Sequence, residues 1–451
     1  TSWVDILSGD LVDGLSKSKT KKIRVNNQLR GYLRGTVARI QLSSSKAQVR
    51  ADAVKSLLSD LDKDTIESIR SAREKETEAF VQKEMDLALA LYDLDEGDSR
   101  EVRLAAIEAL SGNLESEVRN LLREYAEMES DHGKYDVQVS AAASKALKAL
   151  QEKVEFYGFI DQLFFGLSLG SVLLLAAIGL AITFGVMGVI NMAHGEMIML
   201  GAYTTYIIQT LLPNHIDISI WLAIPAAFVV SGLVGIAIER GVIRHLHGRP
   251  LETLLATFGI SLILQQLVRT VISPQNVPVS TPSWMSGTLD INPVLSLTLN
   301  RLYILAFAML VFFALLLILK KTNLGLNVRA VSQNRAMARA MGVRSDRVDA
   351  MTFGLGSGIA GIAGVALSQL TNVGPNLGQS YIIDSFMVVV FGGVGNLWGT
   401  LVAAFTLGIA NKFLEPVTGA VLASILVLVF IILFIQKRPK GLFPQKGRAA
   451  E

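Results

Sequence analysis

Residues 322–347 read TNLGLNVRAVSQNRAMARAMGVRSDR. The stretch lies between two long apolar runs and carries five arginines, Arg329, Arg335, Arg339, Arg344 and Arg347. Val328, Val331, Met337, Ala338 and Met341 fall at helical spacing, so the pattern predicts one amphipathic helix with arginines on its flanks. A loop that only reverses the chain between two membrane spans needs no such helix. An amphipathic helix there is a handle on which a separate protein can push or pull.

On either side the chain is a series of apolar runs. Those near 163–185, 189–212, 220–241, 252–273, 302–320, 351–371 and 418–436 each approach the roughly 20 residues needed to cross hydrocarbon. Two shorter glycine-rich runs, near 381–396 and 398–414, are either short spans or a broken, re-entrant pair. The predicted fold is therefore an all-α, polytopic helical membrane protein with seven to nine spans, some of them broken. With 51% hydrophobic residues and a mean hydropathy of +0.44 over 451 positions, the composition argues against a soluble single domain.

Charge divides the chain near residue 160. Residues 1–157 hold 24 Lys and Arg against 28 Asp and Glu, which leaves 18 against 11 of the totals of 42 and 39 for residues 158–451. The first part is thus acidic and the second basic. The basic excess sits in a few loops, as membrane topology requires and nucleic-acid binding does not. Arg240, Arg244 and Arg249 follow the third run, residues 320–347 the fifth, and Lys437, Arg438, Lys440, Lys446 and Arg448 the last. These loops are expected on the cytoplasmic side, with residues 1–157 outside (periplasmic in a bacterial inner membrane) and the C-terminus inside. The chain starts with Thr and shows no apolar signal core, so the expectation is a mature chain that has lost a signal peptide. It has no cysteine, which excludes disulfides and thiolate metal sites.

Residues 45–150 read as amphipathic helices. Three segments, Val49-Arg-Ala-Asp-Ala-Val-Lys-Ser-Leu57, Val102-Arg-Leu-Ala-Ala-Ile-Glu-Ala-Leu110 and Val139-Ser-Ala-Ala-Ala-Ser-Lys-Ala-Leu147, share the pattern V-[RS]-x-x-A-x-x-[SA]-L. Uneven spacing suits a HEAT-like helix-pair solenoid; an irregular helical bundle is the alternative. Neither would be catalytic.

Several motifs invite a chemical reading. Gly356, Gly358 and Gly361 match G-x-G-x-x-G but lie in an apolar span, so with Gly354, Ser357 and Gly364 they are expected to let helices approach closely. Gly14-Leu-Ser-Lys-Ser-Lys-Thr lacks the second glycine of a phosphate loop, and without a Walker A motif the chain is not expected to hydrolyse ATP. Asn191, His194 and Glu196 interrupt the hydrocarbon region. They should face protein or a water-filled path, either as part of a substrate route or as a structural knot tying a glycine-broken helix to its neighbours. Two ligands at most make no metal site. Gln265 adds an amide on the fourth run. Gln369, Asn372, Tyr381 and Asp384 form a second polar group, followed by Phe391-Gly-Gly-Val-Gly-Asn396, where a broken helix could expose backbone groups to a cavity; loop packing is the competing explanation.

Asn191-Met-Ala-His-Gly-Glu196, the loop from Gly325 to Gly342, and Phe391-Gly-Gly-Val-Gly-Asn396, in that order, resemble the membrane permeases of branched-chain amino acid ABC importers over about residues 160–445. Gly395-Asn-Leu-Trp-Gly399 and the long N-terminal extension are most similar to the urea-type subgroup. The resemblance implies an ATP-driven importer with a second, related permease, two cytoplasmic ABC ATPase subunits that bind the ATP, and an extracytoplasmic substrate-binding protein. It makes the 322–347 loop the coupling element, with Gly325, Arg329, Arg335, Met337, Ala338, Met341 and Gly342 as its contact residues. Of the general E-A-A-x-x-x-G signature only Ala338 and Gly342 match, and the downstream Leu-Pro is absent. The implied substrate is urea, a small neutral solute suited to Asn, Gln, Ser and Tyr; a branched-chain amino acid is the alternative. An ATP-independent channel or scaffold is the alternative of another class.

Overall fold

The computed structural model describes residues 3–4, 11–12, 27–128, 136–246 and 248–443. The phosphate-loop lookalike at residues 14–20 and the terminal Lys446 and Arg448 lie outside them. Two compact units divide at Gly158, with Asn292–Val294 grouped with the first.

The first unit is helical: α1 Asn27–Gln41, α2 Ala47–Leu57, α3 Lys63–Lys75, α4 Ala79–Glu96, α5 Arg100–Leu110, α6 Ser116–Glu127 and the start of α7, Val137–Met187. Local chemistry marks the helix starts. The Asp62 carboxylate accepts from the Thr65 N–H at 2.7 Å, and the Ser99 hydroxyl accepts from Val102 N–H at 3.3 Å. The three similar segments fall on α2, α5 and the start of α7. Each buries its Ala and Leu (Ala53 and Leu57, Ala106 and Leu110, Ala143 and Leu147), as the spacing predicts. Val139 is buried too, whereas Val102 is 40% exposed, so the valine position is not a uniform core position.

Between α3 and α4 the chain turns on an ion pair. Glu76 accepts from Arg50 Nε at 2.6 Å and from a second guanidinium nitrogen at 2.8 Å, and also from the Thr77 and Glu78 N–H groups, each at 3.0 Å. The Arg50 hydrogen bond is the largest influence lowering the Glu76 carboxyl, to about 2, against the opposing effect of burial. A depressed pKa contributes stability that is present above the unfolded value near 4.5 and is lost as pH falls towards 2. The contribution is on the order of 3 kcal/mol. Hydrogen exchange of the α2 and α3 amides in the full chain should therefore accelerate across that window. Glu76→Gln should remove the pH step and lower protection already at neutral pH; a step that persists in this variant would contradict the assignment.

The second unit begins within α7, which runs on to Met187. It continues with α8 His194–Leu211, α9 Ile216–Gly241, α10 Pro250–Val271, α11 Leu299–Lys321, α12 Asn323–Gln333, α13 Arg335–Ala340, α14 Ser345–Ser368, α15 Leu377–Gly392, α16 Leu397–Thr418 and α17 Ala420–Lys437. Two small antiparallel strand pairs, Trp3–Val4 with Leu11–Val12 and Thr288–Asn292 with Leu295–Thr298, leave the fold all-α in character. Seven helices, α7, α9, α10, α11, α14, α16 and α17, are long and apolar enough to cross a membrane. The chain is a multi-pass membrane protein.

The expected second span, α8, and the short α15 fall outside those seven. The polar residues of α8 explain its lower hydropathy. They are tolerated because α8 is wrapped by protein: His194, Glu196, Tyr203, Thr205 and Gln209 are all buried. Near its start, Met192 N–H donates to Thr257 Oγ1 in the first turns of α10; near its end, Gln209 bonds Ser280 in the loop after α10. It therefore runs the length of the bundle beside α10.

The core forms where α14 meets α7, α8 and α9, and glycines set the distance. A Cβ on Gly201 of α8 would fall on the Gly361 carbonyl of α14, and one on Gly364 would fall on the Ile198 carbonyl of α8. The G-x-G-x-x-G match is thus a packing face, as read from the sequence. Ser231 of α9 adds a hydrogen bond to the Met197 carbonyl at 3.0 Å.

The loop between α11 and α14 differs from expectation. In place of one amphipathic helix there are two, broken at Asn334. Its side-chain oxygen accepts from Met337 N–H at 2.9 Å and so starts a new helix. The break divides the predicted stripe. Val328, Val331 and Ala338 pack with Val348 in a small buried cluster, while Met337 is 60% and Met341 78% exposed.

Candidate functional site

Two polar groups lie inside the bundle, and both draw on α15. The first centres on Glu196 in the first turn of α8. Its Oε1 accepts from Gln265 Nε2 at 2.8 Å and Ser261 Oγ at 2.9 Å, both on α10; Gln265 also lies 3.4 Å from Gln379 Oε1 on α15. Ser261 and Gln265 are one helical turn apart, which is why both reach one carboxylate oxygen. Glu196 Oε2 is buried and has no hydrogen-bond partner among the described residues. Nearby, Arg269 donates to Asn376 at 2.7 Å, joining the end of α10 to the start of α15.

The companions predicted for Glu196 serve the backbone. His194 Nε2–H donates to the Ala176 carbonyl of α7 at 2.9 Å, and the Asn191 side-chain oxygen accepts from Ala193 N–H at 3.0 Å. Gly188, with φ +67°, ends α7 and permits the turn that leads to them. Asn191 and His194 thus tie the broken helix together, although Asn191 Nδ2 and His194 Nδ1, like Glu196 Oε2, are buried without a partner among the described residues.

The second group lies where α11, α14 and α15 meet α7. Arg301, near the start of α11, places its guanidinium 4.9 Å from the centre of the Phe165 ring and 3.4 Å from Ser168 Oγ. Tyr381 is within electrostatic reach of both Arg301 and Asp384. Asp384 is half-buried and makes no hydrogen bond or ion pair among the described residues. Gln369 is buried, donates to Ser368 Oγ at 3.1 Å, and leaves its side-chain oxygen without a partner among the described residues. Asn372 is exposed and belongs to neither group. Sequence reasoning missed Ser261 and Arg301. A single arginine heading the apolar run 302–320 was the available signal for the latter.

Asn396 is at the far end of α15 from these groups. It caps α16 by accepting from Trp398 and Gly399 N–H, and donates to the Phe443 carbonyl at 3.2 Å. With Arg329 and Ser332 of α12 it lines a cavity of about 690 Å³ that also touches Val186, Leu319 and Trp398. A residue predicted for the substrate path and one predicted for coupling thus share one cavity.

In the 322–347 segment Arg335 and Arg339 hold the helices in place. Arg335 makes two hydrogen bonds to Asp349 of α14, at 2.7 and 2.9 Å, with the Asp349 side chain 3% exposed. Arg339 donates to Ser345 at 2.6 Å and reaches Asp346 at 3.4 Å. Gly325 packs where a Cβ would meet the Leu319 carbonyl, and Gly342 turns the chain at φ +87°. Met337 and Met341, one turn apart, are left as the outward apolar pair.

This architecture, a multi-span bundle with buried polar groups and a short helical pair bracketed by spans, is that of a polytopic membrane protein and suits a permease. The family profile described as branched-chain amino acid transport system / permease component matches residues 162–435, and the chain belongs to that family. It is a non-catalytic transport subunit. Over 299 residues it is 30% identical to the high-affinity branched-chain amino acid transport system permease protein BraD of Pseudomonas aeruginosa, covering 64% of this chain and 96% of that one. LivH of Escherichia coli K12, a protein of the same description, is 30% identical over 298 residues with the same shares. The ribose import permease protein RbsC of Escherichia coli K12 is 26% identical over 266 residues, 57% of this chain and 78% of that one. No solved structure matches.

Proposed function

We propose that the chain is the permease of an ABC importer for a branched-chain or similarly amphipathic amino acid. The observation that carries this is the likeness to the high-affinity branched-chain amino acid permeases along 96% of their length. The second polar group supports it. An amino acid brings a carboxylate and an ammonium, and Arg301 and Asp384 are opposite charges held apart beside Tyr381. Urea, the substrate expected from the subgroup resemblance, needs no such charges, and the neutral Gln265, Ser261 and Gln379 amides and hydroxyl are what favours it as the second reading.

On this reading α8 and α15 both cross, giving nine spans with residues 1–157 outside and the C-terminus inside. A substrate-binding protein delivers to the outer face, a second permease completes the path, and two ATPases act from the cytoplasm. Met337 and Met341 meet the ATPase, and the Arg335–Asp349 pair passes its motion to α14. The HEAT-like reading of the first unit rests on the shared burial of the repeated Ala and Leu positions; such a solenoid would offer a docking surface.

Uptake by the reconstituted complex tests the charge assignment. Arg301→Gln and Asp384→Asn should each reduce labelled leucine uptake about tenfold or more, since each removes a charge-assisted hydrogen bond of roughly 1.5–3 kcal/mol. Undiminished leucine uptake in both variants would refute the amino-acid subsite.

A further inference from the structure

We propose that the arginine-lined cavity beside α13 is a site for the headgroup of an anionic phospholipid. Arg240 from the end of α9, Arg244 from the 3-10 turn Ile243–Leu246 that follows it, Arg339 from α13, and Arg344 and Arg347 from the start of α14 surround a cavity of about 530 Å³. Asp346 is the one carboxylate that lines it among the described residues. Asp346 is shared between Arg244 at 3.3 Å and Arg339 at 3.4 Å, and Asp349 is engaged by Arg335. Buried Glu239 lies within electrostatic reach of Arg240 and Arg244 but outside the lining. Counting both Asp346 and Glu239 against five guanidinium groups leaves an excess of positive charge. The guanidinium groups of Arg240, Arg344 and Arg347 make no hydrogen bond or ion pair among the described residues.

Depth and neighbouring surface point to a lipid. Arg240 is the penultimate residue of the apolar span Ile216–Gly241, and Arg344 immediately precedes Ser345–Ser368, so both sit where hydrocarbon gives way to headgroups. Leading to Arg240 along α9 is an exposed apolar stripe at helical spacing, Val230, Leu233 and Ala237; on α14, exposed Met351 stands one turn from Arg347. An apolar face ending in a concave, under-neutralised guanidinium cluster complements a molecule with acyl chains and a phosphate. Positive charge at a span end sets topology wherever it lies. Topology alone does not call for five arginines from four elements around one cavity, whereas a phosphate does.

The test uses the full chain purified in detergent. Native mass spectrometry would score retention of phosphatidylglycerol against phosphatidylcholine, with glycerol phosphate as the soluble competitor. Phosphatidylglycerol should be preferred by about tenfold, and Arg240→Gln with Arg344→Gln and Arg347→Gln should abolish that preference. Asp346→Asn, which removes the opposing charge without removing an arginine, should strengthen it several-fold, so a misfolded triple variant does not end the test. Equal retention of the two lipids would overturn the proposal. So would a preference that survives the triple substitution, or is unchanged in Asp346→Asn. Displacement of the lipid by equimolar glycerol phosphate would assign the cavity to a soluble phosphate. Loss of ATPase co-purification in the triple variant with the lipid preference intact would assign it to the ATPase.

Discussion

Gly201→Ala should leave little or no folded protein after detergent extraction, measured as monodisperse yield and thermal unfolding. Ordinary overpacking costs about 1–3 kcal/mol because side chains shift to make room. At Gly201 the added methyl meets the Gly361 carbonyl, a backbone atom in a helix that is itself packed on α7 and α9. Relief would require separating α8 from α14, and with it the Gly364 contact to Ile198 and the hydrogen bond from Ser231 to Met197. The cost should therefore exceed the usual range. Gly259→Ala is the internal control. Gly259 lies in α10, where an alanine methyl would have nothing within 4 Å. Alanine there should be neutral or stabilise by up to about 1 kcal/mol through helix propensity. Equal behaviour of the two variants would refute the close-packed helix interface.

Asp349→Ala should produce the second large effect, and on coupling more than on assembly. The variant strands the Arg335 guanidinium, whose two hydrogen bonds go to a carboxylate that is 3% exposed. Breaking a fully buried pair from one side costs about 3–5 kcal/mol, and the 25% exposure of the Arg335 side chain puts this pair at or below the lower end, whereas replacing both partners with apolar groups is milder. Arg335→Met with Asp349→Leu should therefore recover most of the melting temperature lost in Asp349→Ala. If the pair transmits motion, uptake per ATP hydrolysed should fall at least about tenfold in both variants, the size of change that loss of a charge-assisted pair brings. Full coupling in the stable double variant would reduce the pair to a structural clip.

The span pattern was legible because hydrocarbon imposes length and apolarity on each helix, and the glycine face because small residues at helical spacing have few other uses. The 322–347 segment was only half legible. Apolar periodicity from Val328 to Met341 predicted one helix, but the Asn334 side chain, three residues before Met337, forms a cap that outweighs that periodicity. Polar residues in spans were visible as exceptions, yet their partners were not. His194 reaches a carbonyl 18 residues earlier, and Glu196 finds Ser261 and Gln265, 65 and 69 residues later. Such pairings depend on how helices face one another, which periodicity within each helix leaves open. Arg301 escaped notice because a lone arginine at the head of an apolar run reads as an interfacial anchor; only packing over Phe165 brings it inside.

Uptake into proteoliposomes holding this chain with its second permease and both ATPases, with the binding protein added outside, decides between the transport readings. Labelled leucine should accumulate only when ATP is enclosed, competed by other branched-chain amino acids and untouched by excess urea. Accumulation of urea in place of leucine, or flux without ATP, would contradict an amino-acid importer driven through the 322–347 helices.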